Sequence, residues 1–154
     1  MTTDPITLHV SLDCAPAAAF DAFTRRIGSW WPVVPFSQSQ SPGETIVTLE
    51  PHPNGRIFER APDGTTHQWG RITDWNPPHS LAFHWHVARE DADATHVTVD
   101  FALNDTGGTA ITLVHSGWAN LGAEAQARRT QFEGGWSAIV GTHFKAFAEG
   151  SARD

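Results

Sequence analysis

The chain has 154 residues, with 10 basic against 17 acidic side chains and a formal charge of −7. That length fits one domain, residues 1–154, and can bury about 70% of its unfolded surface without staples. The acidic balance, with Lys145 as the sole lysine, argues against nucleic acid and anionic membranes as partners, since both are held by neutralising phosphates. A single cysteine, Cys14, leaves no internal disulfide and no cysteine-rich zinc set. No basic start precedes an apolar run and no stretch reaches the ~20 apolar residues of a bilayer span, so a cytoplasmic protein is expected.

In chain order, residues 6–12 (ITLHVSL) alternate apolar and polar, which predicts a half-buried strand. Pro16 and the alanines after it open a helix in which Phe20 and Phe23 share a face. A second short helix is expected over Arg25 to Trp31, ended by Pro32. Residues 32–43, with three prolines among polar residues, read as a mobile loop. Strands follow at 44–50, at 56–61 and 66–75 around an Asp63-Gly64 turn, at 80–87, at 95–103 and at 109–116. From about 122 the period becomes helical. Phe132, Trp136, Val140, His143 and Phe147 form one stripe of a helix expected to reach 148. Gly134 and Gly135 inside it each cost roughly 1 kcal/mol against alanine, which close approach of the helix to a sheet would offset. Strand, two short helices, six strands and a long helix make an α+β layer fold, with the last helix covering a curved antiparallel sheet.

Four stretches in this order resemble the SRPBCC superfamily, also called START-like or helix-grip. They are Pro16–Phe23 with Ile27-Gly28-Ser29-Trp30-Trp31; Arg56–Arg60 with Asp63-Gly64, Trp69-Gly70-Arg71-Ile72, Trp75-Asn76-Pro77-Pro78, Leu81, Phe83 and Trp85; Thr95–Val99 with Gly107-Gly108-Thr109 and His115-Ser116-Gly117-Trp118; and Gly135-Trp136. Within the superfamily the chain is most similar to the group named for the activator of the heat-shock-protein-90 ATPase, over about residues 8–148. The resemblance implies a curved sheet wrapped around a long C-terminal helix and a cavity between them for a small apolar molecule. The group usually carries leucine seven residues after the tryptophan of the last helix, where this chain has His143. The chain also lacks room for the additional N-terminal domain of the eukaryotic activators, which lowers the rank of a chaperone role.

Several residue types fit such a cavity. The chain has 7 Trp and 9 Phe but no Tyr, and Trp30, Trp31, Phe36, Trp69, Trp85, Trp118, Phe132 and Trp136 are its expected walls, which doubles as ordinary core packing. Trp85 shares a strand face with Leu81, Phe83 and Val87 and is expected inward, leaving His84 and His86 toward solvent. His115, in phase with Ile111 and Leu113, and His143, on the helical stripe, are both expected to face the interior as neutral imidazoles able to orient a ligand or move a proton. A two-residue turn at Asp63-Gly64 places Glu59 across from Gln68 and puts Trp69 on the opposite face from Glu59. Whether Glu59 or Arg71 faces the cavity stays open, because one residue of slip exchanges the faces. Cys14 at the start of the first helix has no sequence-placed base. No nucleophile elbow, phosphate loop or dinucleotide fingerprint is present, so no cofactor and no metal is expected.

The reading with most support is a protein that binds a small hydrophobic or amphipathic molecule between sheet and helix, with 32–43 as a lid. The alternatives are a small cyclase- or dehydratase-type enzyme using cavity histidines, as in polyketide cyclase-like relatives, and a chaperone accessory. A homodimer is compatible with the sequence, as is contact with a chaperone.

Overall fold

The computed structural model describes residues 3–37, 39, 41, 43–86 and 94–153. Val87, expected on the inward face of its strand, lies outside the described residues, as do Gln38, Gln40 and Pro42 of the 32–43 segment.

The chain runs β1 (Ile6–Leu12), α1 (Pro16–Thr24), a 3-10 turn (Ile27–Ser29), α2 (Val33–Phe36), β2 (Ile46–Leu49), β3 (Arg56–Arg60), β4 (Thr66–Asn76), β5 (Ser80–Trp85), β6 (Thr95–Leu103), β7 (Thr109–Ser116), a 3-10 segment (Trp118–Glu124) and a C-terminal helix. That helix comprises α3 (Ala125–Ala138), a π segment (Ile139–Phe144) and α4 (Lys145–Arg153). The seven strands form one curled antiparallel sheet in the order β1-β7-β6-β5-β4-β3-β2, with the long helix across its concave side. This is the α+β helix-grip architecture. β6 and β7 coincide with the predicted segments because their alternation is strict. Every second residue is buried, from Thr95 through Phe101 and from Thr109 through His115. The 32–43 segment is not all loop: α2 is one helical turn within it, and Trp31 Nε1 donates to Phe36 O at 3.0 Å.

α1 closes one end. Its Phe20 and Phe23 meet Phe101 edge-on at 5.2 and 5.8 Å, and Phe23 meets Phe144 at 5.3 Å. Such edge-to-face pairs add to the area they bury.

Three local features reset which side chains face inward. First, the β3–β4 connection is longer than a two-residue turn. Gly64 N donates to Ala61 O, Ala61 N donates to Thr65 O, and Gly64 sits at φ 90°. This is a turn through Pro62-Asp63 followed by a left-handed glycine. Glu59 therefore pairs with His67, not Gln68. Second, Ile57 pairs with Gly70 and Phe58 with Gln68, so Trp69 is the extra residue of a bulge. The bulge turns Trp69 onto the face that holds Ile57, Glu59 and Ile72, all of them fully buried with it. The expected separation of Glu59 and Trp69 onto opposite faces is thus corrected.

Third, the π segment inserts an extra fraction of a turn into the C-terminal helix. Upstream, Trp136 and Val140 are buried as the stripe predicts; downstream the buried positions are Phe144 and Ala148, with His143 exposed. The expected inward His143 is thereby corrected. Phe147 is half-buried, and the Arg26 guanidinium lies 4.8 Å above its ring. The glycine pair also differs from expectation. A Cβ on Gly135 would come within 3.4 Å of Phe36 Cε1, so the close approach is to α2 and not to the sheet, while a Cβ on Gly134 would meet nothing.

Candidate functional site

The expected wall residues fall into two groups. Trp30, Trp31, Trp69, Trp85 and Trp136 are packed core. Trp31 lies 5.0 Å from Trp69 and 5.9 Å from Trp85, and Trp85 lies 5.6 Å from Trp136. Their rings fill the middle of the concave face where an open hollow was expected. Phe36 is half-buried beside them. The second group surrounds a recess under the first turns of α3. Trp85, Trp118, Leu121 and Phe132 give it apolar walls, and His86, Thr95 and Arg128 give it polar groups. It has about 10 Å³ open to the centre of a water, room for about one water molecule.

β7 and β6 bring His115 and Thr95 together behind this recess. His115 is fully buried. Trp136 Nε1 donates to His115 Nδ1 at 2.8 Å, and His115 Nε2 lies 2.6 Å from Thr95 Oγ1. An indole N–H only donates, so Nδ1 is the acceptor and Nε2 carries the ring proton. That proton goes to Thr95 Oγ1, whose own hydrogen goes to Trp85 O at 3.1 Å. The chain Trp136–His115–Thr95–Trp85 ties α3 to β7, β6 and β5, with Trp136 Nε1, His115 Nε2 and Thr95 Oγ1 each matched to an acceptor. Burial first, and then the nearby His96, lower the His115 pKa from 6.5 to about 3. Trp118 stacks on the imidazole at 4.2 Å and Phe132 meets it at 5.2 Å. His115 is therefore a neutral bridging group, as its strand phase implies. Its Nδ1 lone pair is occupied, so it is not arranged to take up a proton.

Glu59 is the second buried polar group. It is fully buried; its Oε1 accepts from Trp69 Nε1 at 2.9 Å and its Oε2 from Ser39 N at 2.8 Å. The carboxylate thus joins the bulge in β4 to the 32–43 segment. Arg71 is exposed and donates to Asn54 O at 2.9 Å, so of the two alternatives Glu59 is the inward one.

The remaining histidines and the cysteine fall elsewhere. His84 is exposed, and its ring lies 5.8 Å from that of its cross-strand partner His96. His86, expected toward solvent with His84, is buried where β5 ends. The alternation of β5 no longer governs it there, and its N–H donates to Trp69 O at 2.7 Å. Cys14 is buried, and burial, then Asp13, push its thiol pKa up, away from a nucleophilic thiolate.

His86, Thr95, Leu121 and Arg128 are the recess residues that sequence reasoning missed. Arg128 carried a usable signal: it precedes Phe132 and Trp136 at spacings of four, on the same helical face.

A curled antiparallel sheet gripping one long helix, with an aromatic recess between them, defines a helix-grip protein. The family model for Activator of Hsp90 ATPase homolog 1-like protein matches residues 13–149, and the chain belongs to that family. Among solved structures, an anthrahydroquino-gamma-pyrone synthase is similar at 30% identity over 86% of this chain and 90% of its own, with a TM-score of 0.59. A protein from Mycobacterium smegmatis shares the fold at 24% identity, 94% and 90% coverage and a TM-score of 0.63. An AHSA1-like protein from Aeromonas hydrophila does so at 20% identity, 97% and 95% coverage and a TM-score of 0.65. No curated protein matches the chain. Among the described residues no helix is long and apolar enough to cross a membrane.

Proposed function

We propose that the protein binds a small aromatic or amphipathic molecule at the recess between α3 and the ends of β5 and β6. The observation that carries this is the mixed lining: ring faces from Trp85, Trp118 and Phe132 beside polar groups from Thr95 and Arg128. Buried recesses of this composition orient a ligand by a few polar contacts and hold it by apolar ones. Phe132 is only half-buried, and its displacement would widen the recess toward solvent. Trp30, Trp31, Phe36, Trp69 and Trp136 support the site from behind, and Glu59 anchors the 32–43 segment. Native mass spectrometry of the protein as purified, followed by titration with 1-methylnaphthalene monitored by tryptophan fluorescence, tests this. A retained small-molecule adduct or saturable quenching supports binding; absence of both overturns it.

The likeness to an anthrahydroquino-gamma-pyrone synthase favours a second reading, a synthase acting on a related ring system. In that reading His115 holds Thr95 and Trp136 in place and does not transfer protons, since both its nitrogens are engaged. A chaperone-accessory role ranks lower. The exposed large apolar side chains among the described residues are Val34, Ile46 and Leu103, on α2, β2 and the end of β6, and a protein partner calls for a contiguous patch.

A further inference from the structure

Six indoles are buried in the described structure, and five of them have an acceptor. Trp30 donates to Ala22 O at 2.8 Å, Trp31 to Phe36 O at 3.0 Å, Trp69 to Glu59 Oε1 at 2.9 Å, Trp118 to His115 O at 3.0 Å and Trp136 to His115 Nδ1 at 2.8 Å. Trp85 is the exception. It is 4% exposed, and its Nε1 is buried with no partner among the described residues. Arg128 repeats the pattern. Its Nη1 reaches Gln131 Oε1 at 3.4 Å and its guanidinium lies 5.8 Å from the Phe132 ring centre, but its Nε is buried without an acceptor among the described residues. Both side chains line the same recess.

A buried N–H with no acceptor is costly and rare, because nothing replaces the water it has lost. Two beside one recess call for an oxygen that the described residues do not supply. We propose that Trp85 Nε1 and Arg128 Nε form a two-donor site for the oxygen of the bound ligand. The ligand class is then an aromatic molecule bearing a carboxylate, phenolate or conjugated carbonyl. This rests on the ligand-binding reading above and adds its polar specificity. Both groups donate and neither accepts, so this pair takes a hydrogen-bond acceptor, beside the His86 imidazole that also lines the recess. The guanidinium charge favours an oxygen that carries negative charge. The Thr95 hydroxyl, its hydrogen spent on Trp85 O, adds no competing donor. About 10 Å³ of free space suits an oxygen at the tip of the ligand, and Trp118 and Phe132 present ring faces to the body behind it.

The test compares 1-naphthoate with 1-methylnaphthalene, which share a ring system and differ in the acceptor. Wild type, Arg128→Met and Trp85→Phe are titrated by tryptophan fluorescence, with near-UV circular dichroism confirming the fold of each. Arg128 is only part-buried, so Arg128→Met keeps the test alive if Trp85→Phe does not fold. Wild type is expected to bind 1-naphthoate at least about tenfold more tightly than 1-methylnaphthalene. Each variant is expected to lose at least about tenfold for 1-naphthoate and little for 1-methylnaphthalene. Equal losses for both probes, or no loss for either, overturn the donor site and leave ligand binding standing; a water held permanently between the donors gives the second of these results. If neither probe binds wild type, the ligand-binding reading falls and the donor site falls with it.

Discussion

Acidification should destabilise the fold through His115, and the size of the effect follows from its surroundings. The ring is fully buried. Protonating Nδ1 would set a new N–H against the Trp136 indole N–H, which already donates to that nitrogen at 2.8 Å. The folded state therefore resists the proton, holding the pKa near 3 against 6.5 in the unfolded chain. The unfolded state binds the proton first as pH falls, so this contribution is complete above pH 6.5 and is lost between about 6.5 and 3. At 1.36 kcal/mol per pKa unit the loss is on the order of 1.4 kcal/mol at pH 5.5 and 2.7 kcal/mol at pH 4.5. Other groups titrate in this range too, so the assay is a difference. Urea denaturation of wild type and His115→Gln is followed from pH 7.5 to 4.5. The glutamine retains an acceptor and a donor but does not titrate. Wild type should lose stability more steeply than the variant by about these amounts. Parallel profiles would refute the reasoning, as would a nitrogen chemical shift showing His115 protonated at pH 5.

Glu59→Ala removes the acceptors of Trp69 Nε1 and Ser39 N; chemical denaturation should show a loss of about 2–4 kcal/mol, with faster proteolysis in the 37–45 segment. Glu59→Gln, which keeps one acceptor oxygen, should lose about half as much. Gly70→Ala places a Cβ 1.9 Å from the backbone oxygen of His84, which only a backbone shift can relieve. The variant should lose more than about 3 kcal/mol or fail to accumulate as folded protein, and a wild-type melting temperature would contradict that. His143→Gln should change stability by less than about 0.5 kcal/mol and leave 1-methylnaphthalene binding unaltered, because the side chain is exposed.

The sequence by itself determined the order of elements and most strand limits. Alternation is a local property: a strand with one face against a core must place apolar groups at every second position, as β6 and β7 do, and His115 inherits its burial from that phase. The aromatic content likewise forecast what covers the concave face. What local pattern could not carry is any shift that adds a residue to a repeat. A bulge at Trp69 brought an indole and a carboxylate from opposite faces into a 2.9 Å hydrogen bond, and a π segment exchanged His143 for Phe144 at the core. The end of β5 released His86 from its predicted face. Each is settled by contacts among residues distant in the chain, because the cost of breaking a repeat is local while the packing that compensates for it is not. Whether the space under the helix stays open is decided in the same way. It depends on how Trp31, Trp69, Trp85 and Trp136 fit against one another, and only their arrangement in three dimensions leaves the recess beside Trp85 and Arg128.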